Sequence, residues 1–182
     1  FFPDFYEWVI FLGEMSNKTN YEWYIKTHPP LKGKFERYQK FSVDVVDEII
    51  KKYPKIKKIP PETSHLKLIK EGINVVLTVF GTVATEYSFF NIPVINASLN
   101  NPHAKYNFSI TPKSYYDYKK IILNLNKLKF KVNTKDLFEY YYMRVNYFNS
   151  INWMFSQSKL YKSISLWSEQ YSSKIYQFYM NN

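Results

Sequence analysis

The chain opens on an apolar stripe with helical spacing, formed by Phe5, Trp8, Val9, Leu12 and Met15. Asp4 stands before this stripe with Glu7 three residues later, a spacing typical of an N-terminal helix cap. The pattern therefore predicts a helix as the first element of the fold.

Further stripes and caps predict helices along the rest of the chain. A cap at Ser114 is followed by Asp117 at the same spacing as the first pair. The predicted helices cover 45–53, a short segment begun by Thr63 or Ser64, 83–90, 114–125, 134–145 and much of 150–182.

Short β-forming runs alternate with these helices, at 22–27, 55–59, 73–80 and 93–97. The first run is expected to end at His28, because two prolines follow and proline cannot donate to a strand ladder. Run 73–80 is nearly continuous in apolar residues, as in a strand that helices bury on both faces. The alternation over 1–127 predicts an α/β fold, with a Rossmann-like parallel sheet, helices on both faces and C-terminal helices after it.

Composition excludes several classes of protein. With 182 residues, 46% of them hydrophobic and 20% aromatic, the chain is not of the disordered type. The lack of cysteine excludes disulfides and thiolate metal sites, and the three histidines are too far apart to resemble a metal motif. No metal and no cofactor is therefore predicted. No apolar run reaches the length of a transmembrane helix, which favours a cytoplasmic protein.

The formal net charge of +10 has three open explanations, and specific binding of nucleic acid is not among them. Arginine occurs only at Arg37 and Arg144, whereas base-specific readers of nucleic acid usually depend on arginine, so no specific nucleic-acid partner is predicted. The lysine cluster at 51–58 suits a peripheral contact with an anionic membrane at its inner face, or substrates that carry phosphate. A lysine-rich solvated surface explains the charge as well.

Three segments follow predicted strands and therefore lie at the carboxyl edge of the sheet, where ligands of open α/β folds bind. They are His28, the pair Gly81-Thr82, and residues 96–107. Glycine lets a backbone approach a ligand, and a helix that begins at Thr82 offers unpaired N–H groups to an anion. Glu86, one turn later, can accept hydrogen bonds from sugar hydroxyls.

Each of these residues also has a purely structural interpretation. Gly81 can serve only as a turn, and Thr82 can serve only as a helix cap. Glu86 can simply stabilise the helix dipole, and His28 can be an ordinary surface loop residue. The expected convergence at one edge of the sheet is what favours a binding site.

Three segments resemble the nucleotide-binding half of bacterial GT-B glycosyltransferases of the capsule and surface-polysaccharide group. They are YIKTHPP at 24–30, PPETSHLKLIKEG at 60–72 and VVLTVFGTVATEYSFFNIPVI at 75–95, and the resemblance covers roughly 1–145. This group includes capsular Kdo transferases, bacterial sialyltransferases and teichoic-acid glycerophosphotransferases. The resemblance implies a nucleotide-sugar-binding domain at 1–130, with C-terminal helices at 131–182 that pack on it or on an absent domain.

The resemblance also implies roles for individual residues. His28, with Lys26 as its neighbour, would contact the donor phosphate, and Gly81 with Thr82 would bind phosphate or carboxylate. Glu86 would hold the ribose. The loop residues Thr63 and Ser64, together with His65, would lie near the base.

The implied reaction is transfer of a sugar from a CMP- or UDP-linked donor to a glycan or lipid-linked acceptor of the cell surface. A complete GT-B enzyme has a second domain that carries the acceptor site, so this chain is expected to be an incomplete and inactive fragment. No residue stands out as the catalytic base. The alternatives are a CDP-glycerol glycerophosphotransferase, a nucleotide-sugar 2-epimerase relative, and a non-catalytic interaction module that docks through aromatic C-terminal helices.

Overall fold

The computed structural model describes residues 1–29, 36–79 and 81–147. The helices predicted for 150–182, and with them the aromatic stripe of the interaction-module alternative, lie outside these ranges. In the described part the protein is mixed α/β, with six α-helices and two short pairs of parallel strands, and about 45% of it is helical.

The first half of the fold consists of two helix–strand units. Helix α1 (Phe5–Lys18) precedes strand β1 (Trp23–Lys26), and helix α2 (Glu36–Lys52) precedes strand β2 (Ile56–Ile59). The predicted cap of α1 is present, because the Asp4 carboxylate accepts a hydrogen bond from the Glu7 backbone N–H at 2.9 Å. Helix α2 begins earlier than its apolar stripe at 45–53 predicted.

The second half repeats the alternation with shorter elements. Helix α3 (His65–Lys70) leads to strand β3 (Val76–Thr78), and helix α4 (Val83–Ser88) leads to strand β4 (Val94–Asn96). After them the chain is helical, and the predicted cap at Ser114 forms. These last elements are α5 (Tyr115–Ile122), a 3-10 turn (Leu125–Lys127), α6 (Thr134–Tyr141) and a π-helical segment (Tyr142–Tyr147).

The strands form two separate parallel pairs. Strand β1 pairs with β2, with Trp23 opposite Ile56, and β3 pairs with β4, with Val76 opposite Val94. The parallel direction agrees with the prediction, whereas one continuous Rossmann-like sheet is not shown. The predicted strand 73–80 shrinks to β3, whose residues are only half-buried, while β4 is fully buried.

A single apolar core joins α1, α2 and α5 to strands from both pairs. Tyr118 of α5 is completely buried there, and its hydroxyl accepts a 3.0 Å hydrogen bond from the Trp8 indole. Burial raises the pKa of Tyr118 far above the ordinary tyrosine value. Because its hydroxyl stays protonated, it adds no buried charge to the core.

The chain divides into two compact units, 1–138 and 139–182, with the boundary inside α6. In the described part of the second unit, the Arg144 guanidinium donates a 2.7 Å hydrogen bond to the Tyr140 hydroxyl one helical turn earlier. None of the helices within the described ranges combines the length and the apolar character needed to cross a membrane.

Candidate functional site

A cleft of about 400 Å³ lies between α3 and α4. Its walls are largely apolar, and two polar side chains stand among them. The lining residues are His65, Leu66, Ile69, Glu86, Phe89 and Phe90. A concave, mostly apolar surface with a few convergent polar groups is the usual form of a small-molecule site.

Helix α3 is positioned by the loop in front of it. The Ser64 hydroxyl accepts a 3.2 Å hydrogen bond from the Lys67 backbone N–H and so caps the helix. The Thr63 N–H donates to the Pro60 carbonyl at 3.0 Å, which closes the preceding turn. These bonds make His65 the first residue of α3 and direct this half-buried side chain toward α4.

Gly81 allows the turn between β3 and α4 to be tight. Its N–H donates to the Thr78 hydroxyl at 3.1 Å, and a Cβ atom at Gly81 would lie 2.9 Å from that same oxygen. Thr82 already has helical backbone angles, and its side chain does not cap α4. Its hydroxyl instead donates to a carboxylate oxygen of Glu86 at 3.1 Å. Thr82 therefore supports Glu86 within the helix.

His65 connects the two walls of the cleft. Its Nε2 lies 3.6 Å from the other carboxylate oxygen of Glu86, and its Nδ1 lies 2.9 Å from the Tyr87 hydroxyl. The tautomer of the imidazole sets which group donates in the bond between Nδ1 and the Tyr87 hydroxyl, and Nε2 faces the carboxylate. The Glu86 side chain remains partly exposed and keeps acceptor sites for a ligand.

Burial and the nearby Glu86 charge raise the pKa of Tyr87 to about 12, with burial the larger cause. Unfolded tyrosine ionises near pH 10, so the unfolded chain releases this proton first as the pH rises. We expect the free energy of unfolding to fall between pH 10 and 12. Denaturant unfolding at several pH values in this range should show a smaller fall in the free energy of unfolding for Tyr87→Phe than for the original protein. An equal fall in the two proteins would contradict the assignment.

Lys26 and His28 lie at the carboxyl end of β1, away from the lining of the cleft. Lys26 is the half-buried last residue of the strand, and the exposed His28 ring has its Nδ1 2.8 Å from the Pro29 carbonyl. Between them, the buried Thr27 hydroxyl makes no hydrogen bond within the described part of the chain. Of the residues predicted for the site, the cleft therefore brings together only His65 and Glu86. Thr63, Ser64, Gly81 and Thr82 are not among its lining residues, and neither is the predicted His28 group.

A buried polar cluster begins at the end of β4, where the sequence placed segment 96–107 at the same edge, and it extends to residue 111. The Asn96 side chain is fully buried and donates to the hydroxyls of Ser109 at 2.9 Å and Thr111 at 3.1 Å. Its carbonyl oxygen lies 3.2 Å from Nε2 of the buried His103. The sequence pattern placed the segment that begins at Asn96 at this edge but did not indicate the contacts of Asn96, although a polar Asn at the end of the apolar strand β4 is a signal for such a cluster.

No protein-family model, no curated protein and no solved structure matches the chain. Within the described residues, no group of three His, Asp or Glu side chains could hold a metal ion.

Proposed function

We propose that the protein binds the nucleotide part of a nucleotide sugar, as the donor-binding portion of a glycosyltransferase that builds a cell-surface polysaccharide. The observation that carries this proposal is the meeting of His65 and Glu86 in one cleft with apolar walls. The resemblance to GT-B glycosyltransferases implies that Thr63, Ser64 and His65 lie near a base and that Glu86 holds a ribose, and a nucleoside needs both sites within one small volume.

The chemistry of the cleft suits a nucleoside. The Glu86 carboxylate can accept hydrogen bonds from both hydroxyls of a ribose, while Thr82 and His65 hold it in place. The apolar walls contain Phe89 and Phe90, and an aromatic face can stack on a base. The volume of the cleft falls within the range typical of ligand pockets.

The phosphates would lie beyond the cleft, toward the ends of β1 and β3. Gly81 with Thr82, and His28 with Lys26, are the residues proposed for this part of the donor. The Gly81 N–H and the Thr82 hydroxyl would exchange their present partners, Thr78 and Glu86, for the phosphate. Cationic and N–H groups there would stabilise the nucleotide as it leaves the sugar. The acceptor would be a glycan or a lipid-linked glycan, and the catalytic base is not assigned to any residue of this chain.

Glu86→Gln tests the assignment of the ribose contact. A hydrogen bond to a charged group contributes about 1.5–3 kcal/mol, so we expect nucleotide affinity to fall roughly 10- to 100-fold. If Glu86 only complements the helix dipole, the change is limited to about 0.3–1 kcal/mol of stability. Calorimetric titration with the best-binding nucleotide separates the two effects.

Glu71→Gln is the matched control, because it removes the same charge from an exposed position at the end of α3 and outside the cleft lining. It should bind nucleotide as the original protein does. Equal affinities of Glu86→Gln and the original protein would refute the ribose contact.

A non-catalytic interaction module is the second candidate, and the exposure around the cleft favours it. Leu66, Phe90 and Phe138 expose 57%, 51% and 59% of their surface, so apolar area surrounds the cleft. Such area also suits the apolar side chains of a protein partner. This alternative predicts no binding of any nucleotide.

A further inference from the structure

Two lysine-rich stretches of the chain contain no acidic residue. Residues 49–61 hold five lysines, and residues 118–135 hold six. Lysines are ordinary at helix ends, where they complement the dipole, and α1, α2 and α5 each end with them. This preference of lysine for helix ends does not explain why the two stretches lie close together in the fold.

Both stretches reach the same short loop, residues 19–22. The Lys55 ammonium donates to the Thr19 carbonyl at 3.1 Å. The Tyr21 hydroxyl lies 3.3 Å from the Leu123 carbonyl and 3.3 Å from the Asn126 side-chain oxygen. Segments more than sixty residues apart in sequence thus meet at the surface around this loop.

This surface, which we call the basic edge, presents six exposed lysines. They are Lys18, Lys51, Lys52, Lys55, Lys120 and Lys127. The acids nearest to them in sequence are Glu14, Glu22, Asp47, Glu48 and Asp117. Asp47 pairs with Lys58, and Glu22 accepts a 2.7 Å hydrogen bond from the Tyr24 hydroxyl. Positive charge is therefore in excess at the basic edge.

The strand direction places the basic edge away from the carboxyl ends of β1 and β2. Loop 19–22 leads into the start of β1, and residues 53–55 lead into the start of β2. Because these strands run parallel, their starts share one edge, and Lys26 and His28 lie at the other. A partner on the basic edge would leave the carboxyl ends of this strand pair accessible.

The side chains of the basic edge indicate the kind of partner. The ammonium groups of lysine act as point charges, without the planar fork with which arginine reads phosphates and bases. Apolar and aromatic surface stands among them, since Leu123 is 36% exposed and Tyr116, one turn before Lys120, is 72% exposed. Cationic side chains mixed with such groups are typical of proteins that lie on a bilayer.

We infer that the basic edge docks on the surface of an anionic lipid bilayer. This inference does not depend on nucleotide binding. Attraction to an anionic leaflet acts within about a Debye length, so binding weakens as ionic strength rises.

The test is co-sedimentation of the full chain with vesicles of phosphatidylcholine alone and of phosphatidylcholine mixed with phosphatidylglycerol. We expect binding to the mixed vesicles only, with loss at high salt. Each lysine near the surface contributes about fivefold to partitioning. The triple variants Lys51→Gln/Lys52→Gln/Lys55→Gln and Lys18→Gln/Lys120→Gln/Lys127→Gln should therefore each lose on the order of a hundredfold.

A matched control removes the same charge elsewhere, in Lys67→Gln/Lys70→Gln/Lys105→Gln, whose three positions are exposed and lie outside the basic edge. It should bind vesicles within about twofold of the original protein, because distant charges are screened. An equal loss in the control would show that only net charge matters and would overturn the inference. So would indifference to lipid charge, or equally tight binding to duplex DNA that competes with the vesicles.

Discussion

Replacing Gly13 with alanine will destabilise the protein by about 2 kcal/mol, as overpacking of a dense core does. Gly13 is buried within α1. A Cβ atom there would stand 2.5 Å from Cε2 and 2.6 Å from Cγ of Tyr53, distances that no relaxed structure keeps. The Tyr53 ring is 7% exposed and belongs to the main core, so it cannot move aside without opening that core. Alanine's better helix propensity, about 1 kcal/mol, offsets only part of the cost.

Denaturant unfolding of Gly13→Ala measures the effect. The double variant Gly13→Ala/Tyr53→Leu is the informative companion, because a smaller side chain leaves room for the added methyl group. We expect the two substitutions to couple strongly, so that the double variant is more stable than the sum of the single effects predicts. Additive effects, or a Gly13→Ala protein as stable as the original, would show that α1 and Tyr53 do not pack as described.

Replacing Asn96 with leucine will lower the free energy of unfolding by about 3 kcal/mol. Leucine is larger than asparagine and forms no side-chain hydrogen bond, so overpacking adds to the loss of hydrogen bonds at this buried position. Asn96 supplies an acceptor to His103 and donors to the hydroxyls of Ser109 and Thr111. Removing one partner of a buried hydrogen bond costs about 1–3 kcal/mol, and Asn96 takes part in all three of these bonds.

The control for Asn96→Leu is Asn100→Leu, in the same segment but at an exposed position. Its unfolding free energy should stay within about 0.5 kcal/mol of the original value, as for most surface substitutions. If the two variants are equally stable, the buried polar cluster around Asn96 does not stabilise the protein as described.

Local sequence signals predicted the elements of the fold well. The capping pairs at Asp4 and Ser114 form as expected, because they depend on contacts between residues three apart. The extent of β3 was predicted less well. Its apolar run indicated a longer strand buried on both faces, but strand length and the joining of strand pairs depend on distant partners, which periodicity does not register.

The candidate site was predictable only in the part that depends on residues close together in sequence. A glycine and a threonine after a strand, with a glutamate one turn later, indicated α4 and its Glu86. The contact of His65 with Glu86 depends on how α3 approaches α4, which is a tertiary feature. The Asn96 cluster takes its partners from an irregular segment, 98–111, where no periodic pattern exists to guide a prediction.

The most direct test of the central claim is a thermal-shift and calorimetric titration of the purified chain with CMP, CDP, UDP and GDP, with ATP as control. We predict that one pyrimidine nucleotide selectively raises the melting temperature and releases or absorbs heat on binding. Glu86→Gln should abolish most of this effect, and Thr82→Ala should weaken it by loosening the carboxylate. A folded protein that shows neither heat nor thermal shift with any of these nucleotides would contradict the proposed donor site.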